Sequence, residues 1–120
     1  MTHYMRLNSR PFSMIEKGLK TIELRLFDEK RKTVKTGDTI VFTNIESKNE
    51  TLVCKVERLH IYESFEELYK ALPLDKCGYM PEEIPTALPS DMEEYYSKEK
   101  QSLCGVVGFE ISLLSKEASL

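Results

Sequence analysis

Apolar and polar residues recur with two different periods along this chain, and each change of period marks an element. Tyr4 to Leu7 reads as a short strand. Ser9, followed by Arg10-Pro11, reads as a helix start, because serine can cap and proline is tolerated in the first turn, where its missing N–H has no partner. Phe12, Ile15 and Leu19 follow at helical spacing with Met14 as an apolar flank, and Gly18 offers the left-handed residue that ends such a helix. From Lys20 to Leu26 the period becomes two: Ile22, Leu24 and Leu26 alternate with Thr21, Glu23 and Arg25, which predicts a strand with one apolar and one polar face.

A charged loop, 27–35, leads to the turn Lys35-Thr36-Gly37-Asp38. Thr39 to Asn44 is a predicted strand, with Ile40 and Phe42 on one side. Thr51 to Tyr62 is a longer one, with Leu52, Cys54 and Val56 on one side. Ser64, with Glu67 three residues on, predicts a capped helix from Phe65 to Leu72. Pro81, Pro85 and Pro89 forbid a continuous helix through the next stretch. Asp91 to Gln101 reads as a helix with Tyr95 and Tyr96 midway, one tyrosine turned in and one out. Gly105 to Leu114 reads as the last strand, with a frayed tail beyond it. Short strands separated by turns, with one helix early and others late, give an α+β order that favours a small barrel over a parallel sheet.

The 120 residues fit one domain, 1–120, with a core from about residue 4 to 114. Residues Met1 to Arg10 hold no apolar signal core and no run is long enough to span a bilayer, so a cytoplasmic protein with no membrane partner is expected. Three widely spaced cysteines, Cys54, Cys77 and Cys104, and two isolated histidines, His3 and His60, predict neither a disulfide framework nor a metal site. No cofactor is expected. The net charge of -3 is not the footprint of a duplex-DNA binder. Its distribution is uneven: lysine and arginine crowd residues 1–36, whereas 63–99 is rich in carboxylates, which places any anion site in the N-terminal part.

The densest chemistry lies in Gly18-Leu19-Lys20-Thr21-Ile22-Glu23-Leu24-Arg25. Lys20 falls at a helix–strand junction, and Glu23 and Arg25 project from one strand face, two residues apart. Two cations beside a carboxylate can hold an anionic or amide-bearing ligand through charge-assisted bonds. From periodicity alone the plainer alternative is that Thr21, Glu23 and Arg25 are the wet face of an edge strand.

This segment resembles the G-x-K-x-x-E-x-R motif of the ASCH domain family, relatives of the PUA RNA-binding barrel, at Gly18, Lys20, Glu23 and Arg25. Lys35-x-Gly37-Asp38 resembles the family's turn into its barrel, and the likeness in element order runs from Tyr4 to Leu114. Cys77-Gly78-Tyr79 and Asp91 to Ser97 are similar to a pattern in a longer-chain subgroup. The resemblance implies a partly open five- to six-stranded barrel with flanking helices, of the small stand-alone bacterial type. It also implies a basic cleft that binds RNA or a nucleotide-like ligand. Lys20, Thr21, Glu23, Arg25, Arg10, Tyr95 and Tyr96 are the expected ligand-binding residues. The family also includes amidohydrolases of N4-acetylcytidine, which would make Lys20 and Glu23 catalytic. Their threonine stands three positions after the lysine, where this chain has Glu23, and their distant glutamate could be Glu82, Glu83, Glu93 or Glu94. RNA cleavage at the same cleft is a further alternative.

Overall fold

The computed structural model describes residues 1–118. Five strands form one mixed sheet: β1 (Thr2–Leu7), β2 (Ile22–Leu26), β3 (Thr39–Asn44), β4 (Glu50–Tyr62) and β5 (Val106–Ala118). Helix α1 (Ser9–Glu16) follows β1, α2 (Phe65–Ala71) follows β4, and α3 (Lys98–Cys104) precedes β5. The strand order is β1-β3-β4-β5-β2. β1 runs parallel to β3 and the other neighbours are antiparallel.

Two-residue alternation decides what each strand buries. β1 turns His3, Met5 and Leu7 inward, and β3 does the same with Ile40, Phe42 and Asn44. Together with Leu52, Cys54 and Val56 of β4 and Phe12 and Ile15 of α1, these residues build the first core. A second core lies against the other face of β2, where Ile22, Leu24 and Leu26 meet Phe65 and Leu68 of α2. β2 is therefore covered on both sides, and its polar face does not look at water. Two register shifts, between Val53 and Cys54 and between Val56 and Arg58, interrupt the β4–β5 ladder; such irregularities bend a strand pair.

The α+β order and flanking helices match the sequence expectation. The barrel is met only in part: the sheet has five strands and is not closed, since β1 and β2 lie at opposite ends of its order with no ladder between them. Side chains span that seam instead. Arg25 Nη2 donates to the Arg6 carbonyl at 2.7 Å, and Lys30 Nζ donates to the Tyr4 carbonyl at 3.1 Å. Among the described residues, no helix is long and apolar enough to cross a membrane.

Three local expectations change. Leu19 is exposed, because the chain leaves its helix at Gly18, whose φ of 78° turns it away from the core. The expected helix from Asp91 to Gln101 is two pieces: a 3₁₀ stretch, Pro89–Glu94, and then α3, started afresh by the Ser97 side chain accepting from Lys100 N–H at 3.3 Å. β5 continues to Ala118, paired with Glu50, so 115–118 are not frayed; residues 119–120 lie outside the described residues.

Candidate functional site

Three local features bring the junction residues together. The end of α1 folds back so that the Met14 carbonyl accepts from both Leu19 N–H and Lys20 N–H, at 2.8 and 3.1 Å. Thr21 N–H donates to the Lys76 carbonyl at 2.9 Å, which ties the start of β2 to the segment after α2. β2 then presents Glu23 and Arg25 on the face opposite its apolar residues.

Glu23 is 3% exposed. Its Oε1 lies 2.6 Å from Lys20 Nζ and its Oε2 accepts from Arg25 Nε at 2.7 Å, so each carboxylate oxygen has its own cation. Burial alone would raise the Glu23 carboxyl. The charges of Lys20 and Arg25, with the hydrogen bonds they donate, outweigh it and hold the group below the ordinary carboxylate range. Burial likewise works against the Arg25 charge, and Glu23, with a further contribution from Tyr96, more than restores it. The wet edge-strand alternative is thus excluded: these side chains converge on a cleft of about 410 Å³.

The far wall of that cleft comes from the irregular segment between α2 and α3. Gly78, with φ of 106°, lies against the Lys20 stem; a Cβ there would stand 3.3 Å from Lys20 Cδ and 3.6 Å from Lys20 Nζ. Next to it Tyr79 donates its hydroxyl hydrogen to Asp91 Oδ2 at 2.8 Å. That hydrogen being spent, the 2.6 Å contact between the Tyr69 and Tyr79 hydroxyls has Tyr69 as donor. Burial pushes the Tyr69 hydroxyl up to about 12 and the Tyr79 hydroxyl higher, so both keep their protons. Cys77 also lines the cleft, and burial raises its thiol to about 12, which leaves it a neutral wall residue.

Of the other expected residues, Arg10 lines the cleft and is paired with Glu83, itself bonded to Met80 N–H. Tyr96 is half-buried, stacked on Phe65 with ring centres 6.2 Å apart, whereas Tyr95 is 59% exposed at the mouth. Thr21 spends its backbone on Lys76 and Ile111 and does not line the cleft. The charge of the cleft also differs from expectation. Its cations, Arg6, Arg10, Lys20 and Arg25, are matched by as many carboxylates, Glu23, Glu83, Asp91 and Glu94. The hollow is amphoteric rather than basic, because the acidic 74–97 segment supplies one wall. Among the described residues no group of three or more His, Cys, Asp or Glu side chains is placed to hold a metal.

The ASCH domain family matches residues 5–115. The chain belongs to that family. Two solved structures share its fold. This ASCH domain is similar to the hypothetical protein PH0355, at 30% identity over 95% of this chain and 100% of that one, with a TM-score of 0.76. It is also similar to protein PF0455 from Pyrococcus furiosus, at 31% identity over 96% and 99% of the two chains, with a TM-score of 0.68. No curated protein matches the ASCH domain described here.

Sequence reasoning passed over Arg6 and took Asp91 only as the start of a helix. Arg6 gave no signal, because its carbonyl rather than its charge meets Arg25. Asp91 does cap, accepting from Leu88 N–H at 3.1 Å, but it also faces the cleft. The proximity of Cys77-Gly78-Tyr79 to Asp91 was the available clue.

Proposed function

We propose that this ASCH domain binds RNA, or a nucleotide-like ligand, by seating one nucleoside-sized group in the cleft beside Lys20 and Arg25. The observation that supports this reading is the Lys20–Glu23–Arg25 cluster: three charged side chains, nearly dehydrated, held in fixed geometry at one hollow. Preorganised donors of this kind offer charge-assisted hydrogen bonds without an ordering cost at the moment of binding. Small-ligand pockets run from about 300 to 1,000 Å³, so a hollow of about 410 Å³ suits one base with its sugar and not a stretch of strand. Tyr95 at the mouth offers an aromatic face on which a neighbouring base can stack.

Matched charges make the expected salt dependence shallow. Each phosphate neutralised on a single strand contributes about 0.7 to the slope of log K against log salt. A slope near or below about 1 is expected, where a basic groove would give several times that. A filter-binding titration with single-stranded RNA tests the reading. Lys20→Gln combined with Arg25→Gln should weaken binding by about tenfold or more, with folding checked by thermal unfolding. Unchanged affinity of the folded double variant sinks it.

The amidohydrolase alternative has less support. Glu23 stands where those enzymes carry their threonine, and both of its carboxylate oxygens are committed to cations. No acetate release from N4-acetylcytidine is expected.

A further inference from the structure

The cations of the cleft are not equally available. Lys20 and Arg25 are committed to Glu23, which is buried and holds one of them on each carboxylate oxygen. Arg10 is held differently. Its Nη2 donates to Glu83 Oε1 at 2.5 Å, and the two side chains are 62% and 37% exposed. The same Oε1 accepts from Met80 N–H at 2.9 Å. Among the described residues this is the only ion pair between α1 and the segment 74–97. It therefore links the α1 side of the cleft to the far wall.

The two kinds of pair differ in how readily they exchange partners. Breaking a buried pair leaves an uncompensated charge out of water, whereas an exposed pair contributes little and either member can turn to solvent. Glu83 has a further reason to let go. Without Arg10 its Oε1 still holds Met80 N–H, and the carboxylate is already open to water. Nor is it the best partner for a guanidinium. The contact uses one nitrogen and one oxygen, while a phosphate can take two parallel N–H donors from the same fork.

We propose that Glu83 is an internal competitor for Arg10: a phosphate of the ligand takes the place of the Glu83 carboxylate on the Arg10 guanidinium. The Arg10 contact is thereby masked in the free protein and released only to a ligand that carries a phosphate. This rests on the RNA-binding reading above and adds to it the group that restrains affinity. It also gives the acidic wall a part in selection, since a ligand with no anionic group has nothing to offer Arg10 in exchange and leaves the pair closed.

The test titrates a uridine hexamer of RNA into the full chain and into three variants, Glu83→Gln, Arg10→Gln and the two combined, over a range of salt concentrations. Thermal unfolding checks that each is folded. Glutamine at 83 keeps an oxygen for Met80 N–H and removes the charge. Glu83→Gln should bind about two- to fivefold more tightly, because an exposed ion pair no longer has to be broken. Its slope of log K against log salt should steepen by about 0.7, the share of one phosphate on a single strand. Both changes should vanish when Arg10→Gln is added. A gain that survives Arg10→Gln is the general effect of one negative charge fewer and overturns the proposal. Binding that depends on Lys20 and Arg25 but is unchanged in Glu83→Gln also overturns it and leaves the RNA reading intact. Binding by neither the unmodified protein nor Glu83→Gln overturns both.

Discussion

At the scale of single residues, Glu23 has the largest consequence. Its carboxylate is paired with both the Lys20 ammonium and the Arg25 guanidinium, and all three lie largely out of water. Removing one partner of a buried ionic group is far more costly than the group is worth as a whole, because the remaining charge stays uncompensated. Glu23→Gln is expected to lower stability by about 3–5 kcal/mol, read as a lower urea midpoint at neutral pH. The same residue sets an acid limit. A carboxyl held below its unfolded value of 4.5 stabilises the fold above that pH, and the contribution is lost as pH falls through the folded value. Asp38, held at about 2 by the His3 bond above all, keeps its own window between 3.8 and about 2. Unfolding curves taken from pH 6 down should therefore flatten in Glu23→Gln below pH 4.5 without becoming flat, the remaining slope belonging to Asp38 and to Asp28 and Glu83, whose carboxyls are also held below their ordinary values. A variant that follows the unmodified protein throughout would remove Glu23 from the account. What sequence could offer here was the motif and its spacing. The burial of Glu23 was hidden, because an alternating strand shows which residues share a face but not what that face meets.

Elements were legible where one period or one cap dominates. The alternation in β3 and β4 marked the inward residues correctly, and Ser64 does cap α2, accepting from Glu67 N–H at 3.2 Å. The stretch 91–101 misled because its polar residues suit a helix, while Ser97 offers a competing start and takes it. The end of β5 misled because its pattern loses alternation after Leu114, yet its partner β4 runs on to Glu50 and pairs it regardless. The junction between α3 and β5 has an exacting requirement. Gly105 sits at φ 72°, ψ -176°, a region open in practice only to glycine, and a Cβ there would lie 3.1 Å from the Tyr62 carbonyl. Gly105→Ala should cost about 1–3 kcal/mol and lower the melting temperature, while Ser102→Ala, one turn earlier on the exposed side of α3, should leave it within error. A neutral Gly105→Ala would mean that the α3–β5 junction relaxes.

For the whole molecule, the arrangement that matters is an unclosed sheet whose seam is spanned by Arg25 and Lys30 side chains. The cleft sits where β2 turns its polar face inward, so the open edge and the binding hollow share Arg25. The opposite wall hangs from the longest ladder in the protein. Tyr62, the last residue of β4, is paired with Val106, the first of β5, and the whole of residues 63–105 leaves and re-enters the sheet at that point. Proteolysis gives this a direct consequence. A glutamyl endopeptidase cutting after the exposed Glu82 would yield two pieces. The larger keeps β1 to β4 and the smaller keeps β5, which is hydrogen-bonded along both its neighbours, β4 and β2. The nicked protein should elute from a sizing column as one species and fall into two only in denaturant, and the separated pieces should reassemble when mixed.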